Sequence, residues 1–179
     1  MTEMLSVVEE IQRSAAKIPE DKITSLIQLI QTYPRIFVYG TGRSGLMLKT
    51  FAMRLMQLGF TSFVVGETTT PSVQKGDLLI VASASGETGS VVQAVEKATA
   101  AGITVISLTA SEKSRLSAIV QPFLLLNTGT KFAHSDASVQ PLGSLFEQML
   151  LVYFDAVVLR MSRDSGGDGE MARRHASLE

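Results

Sequence analysis

The sequence predicts an α/β fold, a three-layer αβα sandwich around a five-stranded parallel sheet. Short β-rich runs alternate along the chain with segments of helical periodicity. The runs are apolar on both faces, which is typical of parallel strands that helices cover on each side. The chain has 179 residues, 45% of them hydrophobic, and a net charge of −1, which suits one core and argues against disorder. We therefore expect a single domain over residues 1–179.

The elements follow in order from periodicity and turn residues. Two N-terminal helices are predicted within residues 1–32, over 2–17 and 20–32, because apolar residues recur there at helical spacing and Pro19 separates them. Strands are predicted over 35–39, 62–65, 78–82, 104–108 and 123–126. The remaining helices are predicted over 44–58, 88–100, 114–119 and 142–161. Gly59 and Gly102 occupy the expected C-caps of two of them.

Beyond the fifth predicted strand the pattern changes. Residues 127–141 form a polar stretch that includes Lys131 and His134, and we expect a functional loop that is mobile without ligand. The predicted helix 142–161 is apolar nearly all round, which indicates cover on more than one side and an oligomer interface. The tail 162–179 is Gly-rich and charged at its start, so we expect it to be disordered or docked on a neighbour.

Composition argues against several classes of function. No basic stripe is present, which speaks against a nucleic-acid partner. The most apolar stretch, 142–161, contains Glu147, Asp155 and Arg160, so we expect no membrane span. Cysteine is absent, which removes disulfides, thiolate metal sites and a thiol nucleophile, and fits a cytoplasmic location. The first residues lack the basic start and apolar core of a signal peptide.

The turn after the third predicted strand has the composition of an oxyanion site. It consists of Ser83, Ala84, Ser85, Gly86, Glu87 and Thr88. Backbone N–H groups at a helix N-terminus favour phosphate or carboxylate, and hydroxyls add uncharged donors. The turn lacks the lysine of a nucleotide-triphosphate loop, so it suits a single phosphate monoester. The alternative is that Ser83, Ser85 and Thr88 are simple helix caps.

The turn after the first predicted strand is ambiguous. Residues 40–45 match the dinucleotide fingerprint G-x-G-x-x-G, and Glu67 lies near the position of a ribose-binding acid. However, two helices precede the strand, Arg43 places a cation in the turn, and the turn 83–88 follows as a second oxyanion site. Two such turns at neighbouring strand ends favour one phosphorylated small molecule held from both sides. A nicotinamide enzyme stays open as an alternative.

These two turns resemble the two signatures of sugar isomerase (SIS) domains, which bind phosphosugars. Over nearly its whole length the chain is similar to the 6-phospho-3-hexuloisomerase family, and the matching stretches are 42–47, 51–56, 140–148 and 175–179. The resemblance implies the SIS fold, of flavodoxin-like or Rossmann-like topology. It also implies interconversion of 3-hexulose 6-phosphate and fructose 6-phosphate.

Site residues and partners follow from the same resemblance. Ser44 and the turn 83–88 carry over as substrate-binding positions, and Glu147 carries over as the proton acceptor. The family implies no metal and no cofactor. It also implies a homotetramer that works beside a 3-hexulose-6-phosphate synthase in the ribulose monophosphate pathway of formaldehyde assimilation. The stretch 129–139 matches no family motif closely, so Lys131 and His134 receive no role.

The chemistry requires one base that removes a proton beside a carbonyl and returns it to the next carbon through a cis-enediol. Glu147 is the candidate, although Ser144 and Glu147 also have the spacing of a capping box. His175, supplied by a neighbouring subunit, is a candidate for moving protons between the two oxygens, because imidazole both donates and accepts protons. It equally fits a solvated histidine in a frayed tail. Arg43 fits either a contact to the phosphate or enediolate, or a surface salt bridge.

Two further functions stay open on the same residues. A phosphosugar sensor would bind the ligand without catalysis, although the chain carries no helix-turn-helix domain or basic arm. An aldose–ketose isomerase would act between C1 and C2 of a phosphosugar. The position at which a sugar carbon exchanges its proton distinguishes these possibilities.

Overall fold

The computed structural model describes residues 2–130, 138–164 and 168–177. Two helices come first, α1 (Glu3–Ala15) and α2 (Asp21–Thr32). Thr2 is the N-cap of α1, where its hydroxyl accepts a hydrogen bond from the N–H of Leu5. Pro19 lies in the turn between the helices, so both predicted N-terminal helices are confirmed.

The rest of the chain alternates strands and helices. The strands are β1 (Ile36–Tyr39), β2 (Ser62–Val64), β3 (Leu78–Ala82), β4 (Thr104–Thr109) and β5 (Leu124–Leu125). The helices are α3 (Gly42–Gln57), α4 (Gly89–Ala100), α5 (Arg115–Ile119), α6 (Ser144–Asp164) and α7 (Asp168–Arg173). The backbone at Gly59 and Gly102, after α3 and α4, has φ angles of 95° and 70°, as expected for glycine after a helix.

The five strands form one parallel sheet in the order β2-β1-β3-β4-β5. The chain moves outward from β1 to β2 and then crosses back to β3 on the other side of β1. The strand order therefore reverses between β1 and β3. In open α/β sheets, this switch point leaves a crevice at the carboxyl ends of the two strands. The predicted three-layer sandwich is confirmed, and its topology directs attention to the turns after β1 and β3.

Each face of the sheet is covered by its own apolar cluster. On one face, α2, α3 and α6 pack against the strands, and Phe51 of α3 stacks on Phe154 of α6 with ring centroids 4.1 Å apart. On the other face, Val91, Val92 and Val95 of α4 enter the second cluster. All residues of β3 are buried, as expected for a central parallel strand.

Helix α6 obtains much of its cover within the chain. It packs against α1, α2 and α3, while Val152 and Leu159 on its surface stay exposed. Its apolar character therefore does not by itself require a partner subunit. Within the residues that the structure describes, no helix is both long enough and apolar enough to cross a bilayer.

The tail differs from the sequence prediction. Residues 168–173 form α7, and Met171 packs against the core cluster of its own chain. Arg174 adds a hydrogen bond from Nη1 to the carbonyl oxygen of Gln57, at 3.4 Å, and its guanidinium lies beside Gly59. The prediction of disorder is wrong for residues 168–173, which form a helix on their own chain, while docking on a neighbour stays a prediction. The Met171 thioether side chain supplies apolar contact and the Arg174 guanidinium a polar contact, and the polar composition of the tail indicates neither.

Candidate active site

A cleft of about 320 Å³ opens at the carboxyl ends of β1 and β3, at the switch point of the sheet. Its lining comes from three places in the sequence: the turn after β1, the turn after β3, and the first turn of α6. The lining residues are Thr41, Ser44, Ala82, Ser83, Ala84, Ser85, Glu87, Thr88 and Glu147. The fold thus brings the two predicted oxyanion turns together with the predicted base.

Glycines bring the start of α3 close to the end of β1. A Cβ on Gly45 would lie 2.5 Å from the carbonyl oxygen of Gly40, so no larger residue fits without moving the backbone. Gly42 has a φ of 57°, a conformation that glycine adopts readily. As a result Ser44 lies within the first turn of α3, largely buried at the wall of the cleft.

The hydroxyls of the turn after β3 hold its shape. Ser83 Oγ lies 3.0 Å from Thr88 Oγ1 and accepts a hydrogen bond from the N–H of Gly86 at 3.2 Å. Ser85 Oγ accepts a hydrogen bond from the N–H of Glu87, also at 3.2 Å. Thr88 is the N-cap of α4, but its side chain makes no capping bond. The three hydroxyls therefore close the turn on itself and do not act as conventional caps for α4.

Two helix N-termini border the cleft without side-chain caps. Thr41 precedes α3 and Thr88 precedes α4, and neither side chain accepts a hydrogen bond from its helix. By contrast, Thr2 and Ser114 cap α1 and α5 in the usual way. The first N–H groups of an α-helix have no partner within the helix, and they carry the positive end of its dipole. Together, the two uncapped ends make the cleft favourable for an anion.

Contacts with α5 support the turn after β3 from behind. Gly86 has a φ of 66°, and its carbonyl oxygen accepts a hydrogen bond from the N–H of Leu116 at 3.0 Å. Glu87 Oε1 accepts one from the N–H of Arg115 at 2.9 Å. A Cβ on Gly86 would lie 2.1 Å from Ser114 Oγ. Of the predicted substrate-binding residues, Gly86 and Glu87 thus have evident roles in shaping the turn.

Glu147 is the buried carboxylate of the cleft, with 4% of its surface exposed. Arg43 Nε lies 3.1 Å from its Oε2, and this ion pair is half open to solvent because the Arg43 side chain is 56% exposed. Within the described residues, no donor makes a hydrogen bond of normal geometry to Oε2. Glu147 thus lines the cleft and has a carboxylate oxygen without a neutral hydrogen-bond partner, as expected of a base that accepts a proton from a ligand.

The capping-box alternative for Glu147 does not match the contacts of Ser144. Ser144 Oγ accepts a hydrogen bond from Arg43 Nη1 at 2.9 Å and donates one to the carbonyl oxygen of Pro141 at 2.8 Å. A capping box would instead join this hydroxyl to the N–H of Glu147, and the Glu147 carboxylate to the start of the helix. Arg43 bridges Ser144 and Glu147, so the salt bridge, one of the two alternatives for Arg43, forms with the buried carboxylate of the cleft.

His175 lies apart from this cleft in its own chain. It follows Arg174, which contacts Gln57 and Gly59 at the C-terminal end of α3, whereas Ser44 lies at the other end. Since α3 has 16 residues, its ends are about 24 Å apart. The imidazole is exposed, and Nδ1 lies 3.1 Å from the carbonyl oxygen of Ala176. Lys131 and His134, which the sequence left without a role, lie outside the described residues.

The structure adds Thr41 and Ser144 to the predicted site and places Glu67 in a surface ion pair. Thr41 lines the cleft although it was not among the predicted site residues, and its place directly before the start of α3 was the available signal. Ser144 fixes Arg43, a role that its capping-box pattern concealed. Glu67, considered above as a ribose-binding acid, pairs with Lys49 at 2.5 Å on the surface, where both side chains are about half exposed.

The chain belongs to the SIS domain family, whose model matches residues 29–155. It is 40% identical to the 3-hexulose-6-phosphate isomerase of Bacillus subtilis, over 97% of this chain and 95% of that protein. It is also 40% identical to the 3-hexulose-6-phosphate isomerase of Mycobacterium gastri, over 100% of this chain and 92% of that protein. The predicted resemblance to this group of isomerases is confirmed.

A solved structure is also similar to this chain over its full length. A protein from Methanococcus jannaschii, for which a molecular function of 3-hexulose-6-phosphate isomerase has been inferred, superimposes with a TM-score of 0.84 at 34% identity. The superposition covers 100% of both chains. The similarity therefore extends over the N-terminal helices and the tail as well as the region that the family model matches.

Proposed function

We propose that this protein interconverts D-arabino-hex-3-ulose 6-phosphate and D-fructose 6-phosphate. The observation that carries the proposal is the buried Glu147 carboxylate, which lines the same cleft as an uncapped, hydroxyl-rich oxyanion turn. The names of the relatives from Bacillus subtilis and Mycobacterium gastri support the choice of sugar. The protein would act in the ribulose monophosphate pathway, downstream of a 3-hexulose-6-phosphate synthase.

The phosphate would bind at the turn 83–88. The uncapped N–H groups at the start of α4 provide donors, and so do the Ser85 hydroxyl and whichever of the paired Ser83 and Thr88 hydroxyls does not donate to the other. Ser44 and the start of α3 lie across the cleft. Glu147 is the third element of the lining, so a ligand held by its phosphate extends its sugar carbons toward this carboxylate. The guanidinium of Arg43 is available to the sugar oxygens on the same side.

Starting from fructose 6-phosphate, Glu147 removes the proton from C3, beside the C2 carbonyl. The C2 oxygen gains a proton, which gives a cis-enediol between C2 and C3. Glu147 then returns its proton to C2 while the C3 hydroxyl loses its proton, and the carbonyl forms at C3. One carboxylate serves both carbons because they are adjacent, and atoms and charges balance without an external oxidant or reductant.

The proton transfer between the two oxygens needs a second group. His175 suits this role, but it follows Arg174 at the C-terminal end of α3, a helix about 24 Å long whose other end borders the cleft of the same chain. We therefore propose that His175 acts in the cleft of a neighbouring subunit of a homotetramer. Exposed Met53 and Met56 on α3, and Val152 and Leu159 on α6, provide apolar surface for such contacts.

Hydrogen exchange in heavy water tests the reaction. The protein is incubated with fructose 6-phosphate in D₂O, and NMR follows each carbon-bound hydrogen. Exchange at C3, together with appearance of the 3-ketose, is the expected result. Exchange at C1 alone would assign the chain to aldose–ketose isomerases, and binding without any exchange would indicate a phosphosugar sensor. Titration with NAD(P)H separately checks the nicotinamide alternative.

A further inference from the structure

Glu10 is a buried carboxylate outside the cleft that the reaction does not use directly. It lies on α1, and only 3% of its surface is exposed. Its Oε1 accepts a hydrogen bond from the N–H of Val139 at 2.7 Å. Its Oε2 accepts one from Ser138 Oγ at 2.7 Å and one from Gln140 Nε2 at 2.9 Å. Removing the partners of a buried carboxylate that accepts three hydrogen bonds costs stability, because the charge is then left buried without compensation.

The donors of Glu10 belong to the segment that leads into α6. Gln140 connects this segment to α6, because its side-chain amide forms two hydrogen bonds with that of Gln148. Gln140 Nε2 donates to Gln148 Oε1 at 2.9 Å, and Gln148 Nε2 donates to Gln140 Oε1 at 2.8 Å. Gln148 is the residue after Glu147 in the first turns of α6. Pro141 follows Gln140, and its carbonyl oxygen accepts the hydrogen bond from Ser144 Oγ. Hydrogen bonds, together with the peptide bond between Gln140 and Pro141, thus connect α1 to Gln148 and to Ser144, which lie after and before Glu147 in α6.

The same connection reaches Arg43. Ser144 Oγ, which the Pro141 carbonyl orients, accepts the hydrogen bond from Arg43 Nη1. Arg43 in turn contacts the Glu147 carboxylate at 3.1 Å. The direction of the Glu147 side chain therefore depends on the segment 138–141, which Glu10 holds. By contrast, the turn 83–88 is supported by contacts with α5, so it is independent of Glu10.

We propose that Glu10 is a positioning residue for the isomerase reaction: by holding the segment 138–141 and the Gln140–Gln148 pair, it fixes the Glu147 carboxylate in the cleft. The proposal rests on the proposed function. It predicts that loss of Glu10 lowers turnover and leaves phosphosugar binding nearly intact, because the phosphate turn and the base belong to separate parts of the fold. A role in stability alone would not separate these two quantities.

The test compares Glu10→Gln with Glu9→Gln, an exposed glutamate one position earlier on the same helix. In Glu10→Gln, an amide oxygen directed at Val139 places its NH₂ group against that of Gln140. We expect kcat to fall at least about tenfold, since a misplacement of about 1 Å can lower a rate 100-fold, while KM stays within about threefold. Glu9→Gln keeps the wild-type kcat. Both are measured well below the unfolding temperatures.

A double-mutant cycle with Gln148→Ala adds a second readout. If Glu10 and Gln148 act through one connection, the double variant is much less impaired than the product of the two single effects. Independent, multiplicative effects would overturn the proposal, and so would an unchanged kcat in Glu10→Gln. If Glu10→Gln does not fold, Gln140→Ala interrupts the same connection and is judged by the same kcat and KM criteria.

The activity of the wild-type protein distinguishes failure of the proposed function from failure of the positioning role. Wild-type protein without turnover would remove the proposed reaction and the positioning role together. Active wild-type protein with unchanged turnover in Glu10→Gln would remove the positioning role alone. Hydrogen exchange at the Val139 amide shows directly whether Glu10→Gln has released the segment 138–141. If the amide stayed as protected as in the wild type while kcat fell, the proposal would also be contradicted.

Discussion

Replacing Glu147 with glutamine separates the chemical role of the carboxylate from its structural role. The substitution keeps the size of the side chain and removes the group that accepts the proton. A positioned general base contributes about 10²–10⁴-fold to a rate, which corresponds to about 2.7–5.4 kcal/mol of the barrier. We therefore expect kcat for the conversion of fructose 6-phosphate to fall at least about 100-fold, with KM within a few-fold of wild type.

The structural cost of the same substitution is small by comparison. The Glu147 carboxylate loses its charge interaction with Arg43, but the Arg43 side chain is 56% exposed, so this pair contributes at most about 1 kcal/mol. For a chain of this size, about 1 kcal/mol corresponds to a change in Tm of about 2–4 °C. A loss of turnover measured at 25 °C therefore reflects the missing base and not unfolding.

The assay has two parts and one matched control. Steady-state turnover gives kcat and KM, and loss of the C3–H signal in D₂O reports the proton transfer itself. The control is Glu20→Gln, which removes a glutamate paired with Arg160 at 2.7 Å at the start of α2. We expect the control to exchange C3–H at the wild-type rate. If Glu147→Gln retained kcat within about threefold of wild type, Glu147 would only organise Arg43, and the base would have to be another residue.

Three further predictions address the turn, the tail and the buried carboxylate. Ser83→Ala removes a hydroxyl proposed to bind the charged phosphate, so binding of fructose 6-phosphate, measured by calorimetry, should weaken by about 1.5–3 kcal/mol. Equal affinity of the wild type for fructose would contradict a phosphate site. Truncation after Arg174 should abolish turnover without lowering Tm, and mixing this variant with Glu147→Gln should restore activity if His175 acts in a neighbouring subunit. The third prediction concerns Glu10. Burial opposes its ionisation, but hydrogen bonds from the N–H of Val139 and the side chains of Gln140 and Ser138, together with the charge of Arg13, hold its pKa below the usual 4.5. Its contribution to stability is present above that pH and lost as pH falls through the folded-state pKa. The Tm difference between wild type and Glu10→Gln should therefore shrink below about pH 4.5, and a difference constant from pH 7 to 3 would contradict this.

The sequence predicted the sheet and the two turns because their signals are local. The strand 78–82 is continuously apolar, and the hydroxyls and the glycine of residues 83–88 lie within one turn, so neither requires knowledge of distant residues. Helix α7 was missed because its packing depends on Met171 reaching the core, a contact between residues far apart in sequence. The strand β5 covers only Leu124–Leu125 of the predicted 123–126, although the N–H groups of Phe123 and Leu126 also donate hydrogen bonds to carbonyl oxygens of β4.

Ser144 illustrates why the site was harder to predict than the fold. Its spacing to Glu147 is that of a capping box, which is a local pattern, yet its hydroxyl bonds to Arg43, a residue 101 positions earlier. Glu10 is more distant still, since its partners lie 128 to 130 positions later. No periodicity or motif marks a glutamate on an N-terminal helix as a partner of a loop that precedes α6.

The sequence by itself predicted the αβα sandwich and the phosphate-type turn, because composition, periodicity and motif spacing are properties of short segments, whereas Glu147 became the candidate base through the resemblance to the isomerase family. Only the tertiary structure decided that Glu147 is buried beside Arg43, that Glu10 is tied to the segment before it, and that His175 lies at the far end of α3 from the cleft in its own chain. These arrangements depend on how whole elements pack against each other, and side-chain contacts over more than 100 positions have no local signal in the chain.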